Sequence, residues 1–308
     1  MRLVRVGAPG SERPGVIDGA GVLRDLSPLT ADIDAAFLAG DWAADVRSAL
    51  EADTLPTLEP GRLGAPIARP GNVVGIGLNY ADHAARAGVA VPSEPIVFLK
   101  ASSSVVGPTD VIRIPSGSTQ TDWEAELGVV IGAPLRLCDD PDQALRSIAG
   151  LVAADDVTER EHAASGPTWA KGKCHDTFCP IGPWLVSPDE VGDLQDLRIE
   201  LWVNGERRQA GSTAQMTFGV GELLAYVSRH MTLHPGDLVL TGTPGGVAGH
   251  HASPAPYLRA GDVVELEVTG LGRQRTHVVA HDDVSARLTD DTARSRPEQV
   301  PAGQETRP

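Results

Sequence analysis

The sequence has few aromatic residues, few cysteines, a deficit of basic charge and no long apolar run. Phe, Trp and Tyr make up 4% of its 308 residues, and there are three cysteines, Cys138, Cys174 and Cys179. Three thiols form no disulfide framework. The N-terminal MRLVRVGAPGSERPG also lacks the apolar stretch of a secretory leader, so a reducing, cytoplasmic setting is expected. Cys174 and Cys179 are not at zinc-ligand spacing, and no further pair exists to complete such a site. No segment approaches the roughly 18 consecutive apolar residues of a membrane helix, so no membrane association is expected. Lys and Arg number 26 against 41 Asp and Glu, a formal charge of −15. Such a surface repels a phosphate backbone, which argues against a nucleic-acid partner. It also repels anionic substrates at long range, so an acid substrate would need positive charge placed inside the site.

What is present is ordinary for a globular chain: 41% apolar and 22% charged residues, in a length that suits one large domain with or without a small one. Residues 1–65 read as a small N-terminal lobe, with short strands in LVRVG and GVIDGAGVLRDLS and a helical, Ala-rich ADIDAAFLAGDWAADVRSALEAD. Residues 54–71 are dense in Pro and Gly and read as a connection. From Asn72 the pattern turns to Val-, Ile- and Leu-rich strands: NVVGIGLNY, ELGVVIG, GLVAADDV, LRIELWVNG, DLVLTGTP, DVVELEVTGLG and RTHVVAHD. Only DPDQALRSIAG and GVGELLAYVSRHMTL look helical there, the second ending before Pro235. The expected fold is therefore α+β and β-rich, without the alternating βαβ order of a parallel-sheet enzyme. Residues 66–284 form the main domain in this reading. Residues 285–308 are polar and read as a disordered tail.

Four segments carry candidate chemistry. DWEAELGVVIG places Glu124 and Glu126 two apart at the head of a strand, on one face, with Trp123, Ala125 and Leu127 on the other. Two carboxylates side by side are costly unless a cation neutralises them, and a hard ion such as Mg²⁺ takes oxygen ligands. The bland alternative is a solvated edge strand. Asp155 and Asp156 close the strand-like GLVAADDV, where buried carboxylates need partners; the alternative is a turn or a helix cap before TEREH. Lys171 and Lys173 sit in KGKCHDTFCPIGPW, as anion binders or as a surface pair. TGTPGGV offers two Thr hydroxyls and backbone N–H groups to an anion, or is a simple turn. It lacks the Lys of a nucleotide-phosphate loop.

Together these stretches resemble the fumarylacetoacetate hydrolase family. GIGLNYADHA, EPIVFLKASSSVVGP, DWEAELGVVIG, AADDVTER, KGKCHDTFCPIGPWL, LWVNGERRQAGST, MTLHPGDLVLTGTPGGV and AGDVVELEVTGLG follow in the expected order over roughly residues 70–275. The resemblance implies a mixed β-sheet roll with a pseudo-barrel core, a small N-terminal lobe and a homodimer. It implies Mg²⁺ or Mn²⁺ held by Glu124, Glu126 and Asp156. Lys173 matches the lysine that reaches the bound substrate, Arg160 an arginine near it, and His83 the general acid/base histidine of a lid segment. Thr243 matches a position that holds a substrate carboxylate, and Gly242, Gln209 and Arg86 complete the expected substrate-binding set. The substrate implied is a small 2-oxo or β-diketo acid, which chelates the metal so that an enolate is stabilised when a bond breaks or a proton moves.

The sequence departs from the family pattern at several points. A Glu usual three residues after the lid histidine is Arg86, and a Gln usual three after Arg160 is Ala163. His175 takes a usually aromatic position, where packing is its expected role, as it is for Cys179. Gly211-Ser212-Thr213 replaces a Gly-Asn-Thr. Losing a positioned base costs about 10²–10⁴-fold, and C–C hydrolysis, which needs activated water, is most exposed to that loss. Glu94, Glu159, Glu161 or His162 are the candidate replacements. C–C hydrolysis of an acylpyruvate or fumarylpyruvate type of acid is the leading expectation. Decarboxylation or isomerisation of an oxo-acid is the alternative. A non-catalytic metal- or ligand-binding protein of the same fold is the second.

Overall fold

The computed structural model describes residues 1–283; the tail expected over residues 285–308 lies outside the described residues. The chain is α+β and strand-rich, built on two mixed sheets. Across the nine-stranded sheet the strands run Leu23–Asp25, Arg13–Ile17, Arg2–Val6, Leu185–Val186, Ile148–Asp155, Ala125–Ile131, Leu238–Leu240, Val73–Gly77 and Ile96–Lys100. The five-stranded sheet runs Glu206–Ser212, Arg198–Val203, Val263–Val268, Gly272–Val279 and Ile112–Arg113.

The centre of the large sheet is the antiparallel pair Ala125–Ile131 and Ile148–Asp155, with Ala154 opposite Glu126 and Asp155 opposite Ala125. All seven residues of Ala125–Ile131 are buried. The strand is covered on both faces, and its side chains sort with a period of two. Ala125, Leu127, Val129 and Ile131 join a core shared with Ile199, Leu201, Val264 and Leu266 of the five-stranded sheet. Val130, Val152 and Ala154 face the other way, toward Leu3, Val16, Ile33, Trp42 and Val46 of the N-terminal segment. That segment also extends the sheet, Arg2 and Leu3 pairing with Val186 and Leu185.

Helices are shorter than the periodicity suggests. The expected helix over residues 31–53 is two: Ala35–Leu38, capped by the Asp34 side chain, and Trp42–Glu51, with Gly40 and Asp41 between them. Pro141–Leu145 is helical, but the chain returns to strand at Ile148, where pairing with Ile131 overrides the local preference. Val220–His230 is the longest helix near the site. Its Glu222 carboxylate accepts from Gly219 N at 2.7 Å, and Val220, Leu223, Leu224 and Val227 enter the core. It stops short of Pro235 because Leu233 pairs with Leu135. No helix among the described residues is long and apolar enough to cross a membrane.

Candidate active site and metal centre

The parity that sorts the core also builds the site. Glu126 shares its face with Val130. Asp156, one residue past the end of Ile148–Asp155, shares its face with Val152 and Ala154. The Asp156 N–H donates to the Glu124 carbonyl at 2.9 Å, holding the two strand ends together. Carboxylate oxygens of Glu124, Glu126 and Asp156 thereby lie within 4.8 Å of one another. Their exposures are 6%, 1% and 0%, which excludes a solvated edge strand. Asp155 takes the opposite face. It accepts from Glu124 N at 2.8 Å, and burial raises it to about 7.

Three cations surround the cluster. Lys173 Nζ is 2.7 Å from Glu124 Oε2 and also contacts Asp156 Oδ2. Arg160 Nη1 lies 2.7 Å from Glu124 Oε1, and its Nε donates to Asp122 Oδ2 at 2.8 Å. Lys100 Nζ is 2.7 Å from Asp156 Oδ1, close enough to pair in charge but without hydrogen-bond alignment. The outcome differs between the glutamates. Burial opposes ionisation of Glu124, but Lys173 and Arg160 outweigh it and hold its carboxyl well below the usual range. Glu126 is pushed well above that range by burial and by the charges of Asp156 and Glu124, and Gly242 N is its one hydrogen-bond donor among the described residues, at 2.7 Å. Three buried carboxylates that cannot comfortably ionise together, offering hard oxygen donors, fit a divalent cation such as Mg²⁺ or Mn²⁺.

A cavity of about 420 Å³ opens over the cluster. Arg160, Lys173, Thr243 and His83 face it from the polar side, and Phe98 and Trp169 from the apolar side. Arg160 Nη2 is buried there without an acceptor among the described residues.

The family model for the fumarylacetoacetate (FAA) hydrolase C-terminal domain matches residues 72–279, which contain all of these groups. The chain belongs to the fumarylacetoacetate hydrolase family. It is 49% identical over 280 residues to 2,4-didehydro-3-deoxy-L-rhamnonate hydrolase of Sphingomonas sp. (strain SKA58), covering 90% of this chain and 96% of that protein. Fumarylacetoacetate hydrolase from Exiguobacterium antarcticum matches in structure with a TM-score of 0.77 at 37% identity, over 91% of this chain and 99% of that one. The 5-carboxymethyl-2-hydroxymuconate delta-isomerase from Mycobacterium smegmatis matches with a TM-score of 0.72 at 32% identity, over 91% and 99%. The family thus holds both hydrolases and isomerases.

Within this family member, the sequence-predicted residues fall into three groups. Glu124, Glu126, Lys173, Arg160, Thr243 and His83 converge on the cavity, with Asp156 beneath it. Gly242 and Gln209 sit one layer back. Gly242 has a φ of +96°, and a Cβ there would lie 2.8 Å from Asn79 Cβ; a glycine lets its N–H reach Glu126. Gln209 donates to Thr243 Oγ1 and Pro244 O at 2.8 Å each and accepts from Ala125 N at 2.9 Å, so it orients Thr243 rather than reaching the cavity. Arg86 is exposed and does not line the cavity. Lys171 is exposed too.

The proposed replacement bases are also elsewhere. Glu94 accepts from Tyr226 OH at 3.1 Å, Glu159 from Thr121 Oγ1 at 2.9 Å, and His162 Nδ1 meets His175 Nε2 at 3.0 Å. Glu161 is exposed. His175 packs edge-on to Phe178, and Cys179 is fully buried with its thiol pushed up to about 12 by burial.

Sequence reasoning missed Lys100, Asp122 and His250. Lys100 ends an edge strand, where Lys usually signals solvent. Asp122 collects the N–H groups of Ala248 and Gly249 at 2.7 and 2.9 Å as well as Arg160. Its only signal was the acidic run DWEAE. His250 lies in a Gly-rich loop with no periodicity to place it.

Proposed function

We propose that the chain is a Mg²⁺- or Mn²⁺-dependent hydrolase that breaks the C3–C4 bond of a small 2,4-dioxo acid. The observation that carries this reading is the burial of Glu124, Glu126 and Asp156 side by side beneath a cavity lined by Arg160 and Lys173. The bound ion would supply charge for the enolate that appears when a bond beta to the 2-oxo group breaks. The chain's own residues bind and move the rest. With all four ionised, Glu124, Glu126, Asp156 and Asp122 carry one negative charge more than Lys100, Lys173 and Arg160. A divalent cation would reverse that sign and leave the centre selective for an anion. Arg160 Nη2, without an acceptor among the described residues, is suited to the substrate carboxylate, while the Thr243 hydroxyl lines the cavity but spends its proton on Ala125 O at 2.9 Å.

In hydrolysis, water oxygen adds to C4 and its proton passes to the imidazole of His83. The electron pair of the C3–C4 bond moves onto C3, and the proton returns there. The products are a 2-oxo acid and a second carboxylic acid. Burial holds His83 below its ordinary pKa, with Glu124 opposing and Arg160 reinforcing, so the ring is neutral and able to accept at neutral pH. The name of the Sphingomonas relative denotes an acid with oxo groups at carbons 2 and 4, which supports this substrate class. Phe98, Trp169, Leu78 and Val89 give the cavity an apolar wall, suited to a short, weakly polar tail on C4.

A second reading is isomerisation of an unsaturated oxo-acid, favoured by the likeness to the mycobacterial isomerase. It uses the same enolate and proton transfers without water. The working unit we propose is a cytoplasmic homodimer, its three free thiols suiting a reducing compartment.

The test is a panel of acetylpyruvate, fumarylpyruvate, 2,4-didehydro-3-deoxy-L-rhamnonate and oxaloacetate, each with Mg²⁺, Mn²⁺ or EDTA, with products identified by NMR. Metal-dependent loss of the enol absorbance with two acid products is expected. Rearranged products with the carbon chain intact would move the assignment to an isomerase. Pyruvate and CO₂ from oxaloacetate alone would make it a decarboxylase. Mn²⁺ binding with no turnover would make it a binding protein.

A further inference from the structure

We propose that His250 is the positioning partner of His83, its ring set against the imidazole that carries the proton. The inference rests on the C–C hydrolysis reading above. That reaction moves a proton off water and then onto C3, and the group that carries it must reach the cavity and be free to exchange. Among the described residues lining the cavity, the titratable ones are Glu124, Glu126, Arg160, Lys173, His83 and His250. Glu124, Arg160 and Lys173 are bound into ion pairs with one another or with Asp122 and Asp156, and Glu126 belongs to the metal centre. Two histidines remain.

They come from different elements and touch. His83 lies on the helix Ala81–Arg86 and His250 on the single turn Ala248–His250, with ring centroids 4.6 Å apart and planes at 64°, edge to face. Both elements are tied to the same loop. Asp82 Oδ2 accepts from Gly245 N at 3.0 Å, which fastens the His83 helix. Asp122 accepts from Ala248 N and Gly249 N while holding Arg160, which fastens the His250 turn to the wall of the metal centre. Gly246 N approaches His250 Nδ1 at 3.5 Å, favouring Nδ1 as acceptor and leaving Nε2 to carry the ring proton. A neutral imidazole set edge to face against His83 can orient that ring and share the charge when His83 takes the proton. Among the described residues, no carboxylate outside the metal centre lines the cavity to do this instead. His250 is thus a positioning residue, acting on the substrate through His83.

The experiment uses the full-length, Mn²⁺-loaded enzyme and a 2,4-dioxo acid that the wild type turns over. His250→Gln, His250→Phe and His250→Ala are compared for kcat, KM and Mn²⁺ affinity by EPR. His250→Phe keeps the ring contact and guards against a simple folding failure. A fall in kcat of about 100-fold is expected in His250→Gln and His250→Ala and a smaller fall in His250→Phe, which keeps the ring contact, with KM and Mn²⁺ affinity within about threefold of wild type in all three. Added imidazole should restore part of the activity of His250→Ala and leave the wild type unchanged. A His250→Gln enzyme with kcat within about threefold of wild type overturns the proposal and leaves the hydrolase reading standing. Losses that track KM or Mn²⁺ affinity, without rescue by imidazole, overturn it too and make His250 a wall residue. A wild type that cleaves no dioxo acid removes the hydrolase reading, and this inference falls with it.

Discussion

Glu124 and Glu126 lie two apart on one strand, yet they bear opposite electrostatic burdens. Glu124 answers Lys173 and Arg160; Glu126 has one backbone donor and two carboxylate neighbours. Their substitutions should therefore diverge in the metal-free protein. Glu124→Gln strips a buried partner from two cations. Lys173 keeps Asp156 and Arg160 keeps Asp122, so the expected loss is at the low end of the range for a broken buried pair, about 3 kcal/mol. Glu126→Gln removes a carboxylate that burial and repulsion disfavour, and should leave stability unchanged or higher. The pH dependence follows with the same signs. The folded-state pKa of Glu124 is depressed below its ordinary 4.5, so its stabilisation is present above that value and fades as pH falls. Glu126 is raised, so its cost grows as pH rises through its ordinary 4.5 and the gain from Glu126→Gln should grow with it. Both variants should lose Mn²⁺ binding. Urea midpoints at pH 7, pH 4.5 and about pH 3, with Mn²⁺ EPR, read both. Equal destabilisation by the two changes would sink the assignment of roles. At this scale the sequence was legible where a period of two decides. That parity puts Glu124 and Glu126 on one face; Asp156, on another strand, joins them in the sequence only through the family resemblance. Parity says nothing of Lys100, which meets Asp156 only because the sheet folds two distant strand ends together.

At the scale of elements, the helix Ala81–Arg86 is positioned by its approach rather than by its own length. Asn79, 1% exposed, donates to Thr241 O at 2.9 Å and Phe218 O at 3.1 Å and accepts from Phe218 N at 2.9 Å. Its own carbonyl takes Thr217 N at 2.7 Å. One side chain thus joins the start of the His83 helix, the end of the strand Leu238–Leu240 and the start of Val220–His230. Asn79→Ala orphans the buried Thr241 carbonyl and strips the half-buried Phe218 backbone of its partner, at about 1–3 kcal/mol for a buried group left unsatisfied. The expected result is a lower urea midpoint together with a fall in kcat, since His83 loses its anchor while the carboxylates stay in place. Unchanged kcat with a lower midpoint would show that Asn79 serves stability alone. Elements were readable in the strands, whose apolar runs match the observed cores. Helix ends were misjudged where pairing took over, as at Ile148 opposite Ile131 and Leu233 opposite Leu135. Backbone partners from elsewhere in the chain decided those boundaries, and local periodicity cannot see them.

For the whole molecule two fields compete. The formal charge of −15 is spread over residues 1–284, because residues 285–308 hold four Arg against four Asp or Glu. At low salt the screening length is about 30 Å, and an approaching dianion feels that whole surface. At about 0.15 M salt it shrinks to about 8 Å, and the dianion feels chiefly the mouth of the cavity, where Arg160, Lys173 and a bound cation would attract it. The far field should dominate the encounter and the near field the bound state. With saturating Mn²⁺, kcat/KM for a dianionic dioxo acid is therefore expected to rise at least about twofold from 10 to 150 mM NaCl, while kcat stays flat. Stopped-flow or initial-rate assays at fixed pH measure it. A fall in kcat/KM with salt would mean that the positive centre already governs the approach, and that the acidic surface is held away from the cavity mouth.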